Sequence, residues 1–524
     1  MSIMKYCVLI CCLLLISCFE DKGNYDYIDL NTVIIEVIHT DEWYEKTANV
    51  DTLCINPSLR LSLDSTDCLE YEWLLIPLSA SYNKDSILIS EQRASYVIGR
   101  EKNLVYPVAG KAGEYAGFFC VRNILSGITY KADFYLRIKT AVSEGWMILC
   151  EENGEARLDM IAYQSSTSEI VSRDIWRECG FSLGKPYKLT YNFNITKSDR
   201  LVWCEKGTYA LDCETLWPSE ENDLALQFIE QPEKIEVACG GVPMCATPPR
   251  ELLITSEGEL YTREVDAIAL GSFFDFPKNR VKGEYEYFKL SPWVGFRQYY
   301  SWPSTSAILF YDENNRRFLS LESDAELLSE VSFSSNGNVN FSSTTGRDMV
   351  YMEGNREGYV FAVLKEPDLE EYYLYGVSLQ VDCKVQCSYY VKLLPANTDK
   401  IIHFAFHPLY RILYYATEQG DVYQFNMNTP NMKAKKILSF PGEQIAVMKF
   451  NYPVPYILYE DWENTRWNWL HIGSNVKTGP ENECGIVRMY NIPESTSAPL
   501  PVLKFDRFGK IVDMVYRFRK DEVI

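Results

Sequence analysis

The sequence predicts an all-β chain in which an N-terminal immunoglobulin-like β-sandwich precedes a seven-bladed β-propeller. Two observations carry that expectation. Short alternating apolar runs separated by turn residues fill residues 24–139, the pattern of a sandwich. From residue 144 onward one unit recurs: a short apolar strand, a polar turn, and a second strand rich in Tyr, Leu and Val. Its starts near 145, 200, 252, 307, 349, 412 and 456 lie 42 to 63 residues apart, the scale of a four-stranded blade. A chain of 524 residues that is 47% hydrophobic and 14% aromatic has room for about two to four folded domains and is too apolar for disorder.

In the first domain the expected strands are residues 32–38, 59–63, 70–76, 113–122 and 130–139. Trp73 stands where the core tryptophan of such a sandwich lies, and Gly113-Glu114-Tyr115 opens a later strand with its corner tyrosine. Cys68 falls beside the tryptophan strand and not on the strand before it, so a Cys68–Cys120 bridge is not assumed.

In the second domain, Gly145 to Cys150 is followed by the turn Glu152-Asn153-Gly154, and Arg200 to Cys204 by Lys206-Gly207. Glu251 to Thr255 and Ala307 to Tyr311 repeat the arrangement, with turns at Glu257-Gly258 and Asn314-Asn315. Residues 401–406, 411–416, 421–425 and 436–440 make the most complete blade. Beyond the seventh repeat, residues 510–516 read as one more first strand with no blade behind it. Pairing beside Gly145 to Cys150 would close the ring and remove an exposed sheet edge. Residues 219–231 read as a helical insertion. An eight-bladed or irregular propeller and a pair of stacked sandwiches are the competing arrangements.

The N-terminus carries a targeting pattern. Lys5 precedes an apolar run of eleven residues, 6–16, which suits a secretory signal and is too short to span a bilayer. Leu15-Ile16-Ser17-Cys18 resembles the lipobox of bacterial lipoproteins, which implies diacylglycerol on the Cys18 sulfur and membrane anchoring by acyl chains. The expected division is therefore 1–17 signal peptide, 18–30 lipidated tether, 31–140 sandwich and 141–524 propeller. Glu20 and Asp21 resemble the acidic signal that sends Bacteroidetes lipoproteins to the outer face of the outer membrane; an inward, periplasmic face is the alternative.

Lipobox, the run Asp21-Lys22-Gly23-Asn24-Tyr25-Asp26-Tyr27, and a sandwich ahead of a repeat domain together resemble the PKD-like family of Bacteroidetes lipoproteins. The resemblance implies a surface lipoprotein working beside a SusC/SusD-type uptake system to capture oligosaccharides or peptides.

Direct reading of the residues narrows the chemistry. A net charge of −21 repels phosphate backbones and anionic headgroups, so nucleic acid is not an expected partner. The four histidines are His39, His403, His407 and His471, and no zinc, phosphate-loop, calcium-loop or nucleophile-elbow motif is present. His403 and His407 sit on a strand-like alternation that holds them about 13 Å apart, too far to share a metal. Carboxylate neighbours such as Glu151/Glu152, Glu220/Glu221 and Glu370/Glu371 read as solvated surface. No catalytic residue, metal or cofactor is expected.

Twelve of the sixteen cysteines remain once those of the signal and Cys18 are set aside. Cys239 and Cys245 bracket a turn-rich loop and are the best candidate for a disulfide; Cys383 and Cys387 are about 13 Å apart on a strand and read as buried apolar residues.

Aromatic residues are the positive signal for binding. Trp293, Tyr299, Tyr300 and Trp302 belong to a crowded run broken by Pro292 and Pro303, and Trp462, Trp467 and Trp469 form a second group. Flat rings of this kind stack on sugars and on peptide side chains, although blades also use them as packing. The expected function is non-enzymatic capture of a nutrient. A propeller hydrolase or lyase, or an adaptor binding only protein, are the alternatives.

Overall fold

The chain divides into two units, Met1–Lys139 and Thr140–Ile524. The computed structural model describes residues 32–518 except 37, 39–41, 49, 63–67, 79–90, 110, 143, 166–167, 193–198, 242–249, 265–272, 298–306, 323–324, 338, 356, 380–383, 452–465 and 493–497.

In the first unit a five-stranded sheet runs in the order Trp43–Thr47, Thr129–Lys139, Gly113–Asn123, Leu69–Pro77, Val97–Gly99. Two short ladders supply the other layer: Val33–Glu36 with Ser58–Leu61, and Thr52–Ile55 with Leu104–Pro107. Between the layers Val33, Leu53, Ile55 and Leu104 pack on Trp73, Phe119 and Phe134. Trp73 is fully buried, stacks on Phe119 with ring centroids 4.2 Å apart, and donates its indole N–H to the Glu101 carbonyl at 2.9 Å. The Tyr115 hydroxyl donates to the Lys111 carbonyl at 2.8 Å, the hydrogen bond expected of a corner tyrosine. Because Trp73 sits at the centre of this core, Trp73→Ala should cost the sandwich about 3–5 kcal/mol, measurable as a lower denaturation midpoint.

In the second unit the described residues form seven sheets. Blade one holds Lys510–Arg517, Gly145–Glu152, Glu155–Ser165 and Ser168–Ser172. Blade two holds Pro186–Asn192, Asp199–Cys204 and Gly207–Ala210; blade three holds Val237–Gly241, Arg250–Thr255 and Leu260–Glu264. In blade four, residues 292–297 bridge at Gly295 to Leu309, ahead of Ile308–Asp312, Arg317–Leu321 and Ser329–Glu330.

Blades five to seven have four strands each. Five is Asp348–Gly354, Tyr359–Lys365, Tyr372–Leu379 and Val385–Lys392. Six is Ile401–Phe406, Ile412–Thr417, Asp421–Asn426 and Lys435–Ser439, as its sequence predicts. Seven is Glu443–Phe450, Trp469–Val476, Gly485–Asn491 and Leu500–Phe508.

Successive blades share apolar clusters, and these clusters go all the way round. Met147 and Leu158 of blade one meet Leu189 and Val202 of blade two. At the far end of the chain, Val447 and Met489 of blade seven meet Trp146 and Ile148 of blade one. The ring is sealed as its sequence predicts: Lys510–Arg517 pairs antiparallel with Gly145–Glu152, from Gly145 opposite Arg517 to Glu151 opposite Lys510. Arg517 is fully buried and donates to the Val142 and Cys213 carbonyls, while Asp159 accepts the Gly509 N–H at 3.2 Å.

Three expectations change. The second strands of the blades begin at 145, 199, 250, 308, 359, 412 and 469, intervals of 51 to 58 residues and more even than the sequence suggested. The repeat start placed near 349 falls on the first strand of blade five, because first and second strands are both apolar there and composition does not tell them apart. The start near 456 lies outside the described residues.

The predicted helix at 219–231 is two short 3₁₀ turns, Glu220–Asn222 and Leu224–Gln227. Between them Asp223 is extended, and its carboxylate accepts the Ala225 N–H at 2.9 Å. That local hydrogen bond competes with helix continuation.

Candidate functional site

Propeller geometry brings the first strand of every blade to the central axis. Those strands, with residues 292–297 standing in for blade four, line one cavity of about 640 Å³. Its wall includes Trp146, Tyr187, Trp293, Tyr351, Phe404 and Tyr516, and set among these rings is a belt of polar side chains.

Asp513 of blade one is the centre of the belt. One carboxylate oxygen accepts from Lys449 Nζ of blade seven at 2.7 Å and from the Met514 N–H at 2.8 Å. Its other oxygen accepts the Leu189 N–H at 3.2 Å and lies 3.3 Å from Lys188 Nζ of blade two. Burial alone would raise the Asp513 pKa, but the two ammonium groups outweigh it and bring it down to about 2. Asp513 raises the pKa of Lys188, whereas burial dominates at Lys449 and lowers it. Side-chain exposures of 32% and 33% leave both lysines open to whatever occupies the cavity.

The other blades add one acid, one cation and several uncharged groups. In blade five Glu353 accepts from the Tyr351 hydroxyl at 2.7 Å and from the Phe406 N–H at 3.3 Å. His403 of blade six lies with Nε2 3.1 Å from the Ile445 carbonyl, and burial lowers its pKa. Burial pushes the Cys239 thiol of blade three up to about 11. Arg297 also lines the cavity, and its Nε is buried without a hydrogen-bond partner.

Of the aromatic candidates, Trp293 is in the cavity wall, edge-on to Tyr351 with centroids 4.7 Å apart. Trp469 is 9% exposed and packs between blades seven and one, with the Arg466 guanidinium 5.2 Å over its ring. It is a core residue and not part of the cavity wall. Trp467 belongs to the short turn Arg466–Asn468, its side chain outside the described set. Tyr299, Tyr300, Trp302, Trp462 and Cys18 lie outside the described residues.

Cys239 is a free thiol; Cys245, its proposed partner, lies outside the described residues, as does Cys383. Cys68 and Cys120 are also free, and Cys387 is fully buried. Among the described residues no cluster of His, Cys, Asp or Glu is arranged to hold a metal. The carboxylate neighbours are tied to cations: Glu151 to Lys510, Glu152 to Arg157, Glu370 to Lys365 and Glu371 to Lys392.

Sequence reasoning missed Lys188, Glu353, Lys449 and Asp513, and read His403 as structural only. Their common signal is position on the first strand of a blade, which becomes visible once the repeat register is correct.

No curated protein matches the chain. Among solved structures, a quinonprotein alcohol dehydrogenase-like protein from Bacteroides thetaiotaomicron is similar at 11% identity, over 94% of this chain and 97% of that one, with a TM-score of 0.35. The dihydro-heme d1 dehydrogenase NirN, in complex with DHE, is similar at 10% identity over 77% and 74% of the two chains, with a TM-score of 0.37. A complex of KlAtg21 with the coiled-coil of AgAtg16 matches at 11% identity over 69% of this chain and 99% of that one, with a TM-score of 0.35. Residues 18–185, which hold the sandwich and the three outer strands of blade one, match the PKD-like family.

Proposed function

We propose that this protein is a lipid-anchored lipoprotein of the outer membrane surface whose propeller captures an oligosaccharide or peptide, without chemistry, for a SusC/SusD-type uptake system. The observation that carries the reading is the axial cavity: about 640 Å³, within the range of small-ligand sites, with an aromatic wall and a few convergent polar groups. Anchoring rests on Lys5, the apolar run 6–16 and Leu15-Ile16-Ser17-Cys18. The cavity carboxylates favour binding over catalysis. Asp513 is held ionised by two lysines, and Glu353 already accepts two hydrogen bonds, so neither is set up to deliver a proton.

The test applies the chain from residue 19 onward to saccharide and peptide arrays, with mass spectrometry of every well. Binding without cleavage is the expected result. Trp293→Ala should then weaken affinity about tenfold by calorimetry, the loss of roughly one stacking contact. Shortened products would replace this reading with a hydrolase or lyase. A second reading, a protein-binding adaptor, draws on Leu226, Ile229, Phe273 and Phe276, which stay exposed beside the Phe228–Phe274 bridge. Silent arrays with stoichiometric capture of an outer-membrane protein would favour it.

A further inference from the structure

We infer that the axial cavity selects an acidic oligosaccharide, one whose carboxylates or sulfates lodge against Lys188 and Lys449 and, separately, against Arg297, while its neutral part lies along the aromatic wall. This rests on the capture reading above and names the ligand class for the same site.

The argument begins with an imbalance of charge. A chain at −21 nevertheless places three basic side chains around its axial cavity, on blades two, four and seven. Burying cations costs free energy unless each has a partner, and against three cations the cavity sets two carboxylates, Asp513 and Glu353. Lys188 and Lys449 share the single carboxylate of Asp513. Both oxygens of that carboxylate also accept a backbone N–H, so Asp513 has little capacity left.

Each ammonium keeps donors in hand. Lys449 spends two of its three on Asp513 and the Met514 carbonyl, and Lys188 has one long contact of 3.3 Å. Arg297 makes no ion pair or hydrogen bond among the described residues, and its buried Nε is unsatisfied. A planar guanidinium is matched by the two oxygens of a carboxylate or sulfate.

The rest of the wall offers what a sugar ring needs. Glu353 offers an acceptor to hydroxyl groups, and His403 and Cys239 add small polar contacts. Trp293 and Tyr351 give ring surface for the C–H face of a pyranose.

An array of uronate, sulfated and neutral oligosaccharides of matched length, together with acidic peptides, tests this on the whole mature chain. Acidic saccharides should bind at least tenfold tighter than their neutral counterparts, and affinity should fall as salt is raised. Arg297→Gln should remove most of that preference. Lys449→Met, checked for folding by circular dichroism, should do the same. Equal binding of neutral and acidic saccharides would overturn the inference and leave the capture function standing. Binding confined to acidic peptides would overturn the saccharide assignment, and silence in every well would overturn the capture reading itself.

Discussion

A chain ending at Phe508 is expected to lose the cooperative unfolding transition of the propeller while keeping that of the sandwich. Truncation there removes the closing strand Lys510–Arg517, with Ile511, Met514 and Arg517 buried in it and Phe518 just beyond. Trp146, Ile148 and Cys150 lose their cover, and the Gly145–Glu152 edge is left unpaired. Each large apolar side chain so exposed forfeits about 1.5–3 kcal/mol. Together with the ladder, the loss approaches the roughly 5–15 kcal/mol that stabilises an ordinary domain.

The closing strand is also where the polar tethers converge. Gly509 is held by Asp159, Lys510 by Glu151, and Asp513 by lysines from both flanking blades. Calorimetry reads the outcome directly. Two transitions in the intact chain should become one, and Met514→Ala should shift only the propeller transition, at a cost of about 2–5 kcal/mol. A truncated chain that kept both transitions would mean that the blades stand without closure.

That closure was legible in the sequence because residues 510–516 look like the first strand of a blade, with no following blade to account for it. The long sandwich strands and blade six were legible for a similar reason. Trp43–Thr47 and Val97–Gly99 were not: they are too short to establish a period, and Trp43–Thr47 carries Glu45 and Lys46 as an edge strand does. The aromatic run near Trp293 shows why composition could not locate the site. Tyr285 is 89% exposed, Phe288 is buried and Trp293 lines the cavity, so one stretch serves surface, core and wall. The charged belt was invisible for a different reason. Lys188 is hundreds of residues from Lys449 and Asp513, which are themselves 64 apart, and only ring closure makes the three neighbours.

Stability of the propeller is expected to fall as pH drops from about 6.5 towards 4, a loss that begins above the range in which ordinary carboxylates titrate. Burial lowers the pKa of His407 to about 4 and of His471 to about 3, from 6.5. Both rings are held neutral by their surroundings. His407 Nδ1 accepts the Leu409 and Tyr410 N–H groups at 3.1 and 3.2 Å, which requires its proton to sit on Nε2. His471 is 2% exposed and lies on Trp146 with centroids 4.2 Å apart.

Between pH 6.5 and 4 the unfolded chain therefore takes up protons that the folded chain refuses. Unfolding becomes easier by about 1.4 kcal/mol per pH unit for each histidine, roughly 4–5 kcal/mol in all by pH 4.5. Glu251 works in the opposite sense. Burial, with Asp199 beside it, raises its pKa, so its protonated form favours the folded state in acid and softens the slope as pH falls towards 4.5, where the unfolded carboxyl takes up its proton too. Asp513, depressed to about 2, adds a further loss only as pH falls from 3.8 towards that value.

Denaturant unfolding at pH 7, 6, 5 and 4.5 measures the total, and His407→Asn isolates one ring. Asparagine keeps an acceptor close to the position of Nδ1 but does not titrate. The variant should start less stable at pH 7, through imperfect packing against Tyr410 and Phe450, and lose stability more slowly as acid is added. Convergence of the two curves would identify His407 as one of the groups that sets the acid limit. Parallel curves would mean that the ring takes up its proton without leaving the fold, and that the two backbone N–H groups find another acceptor.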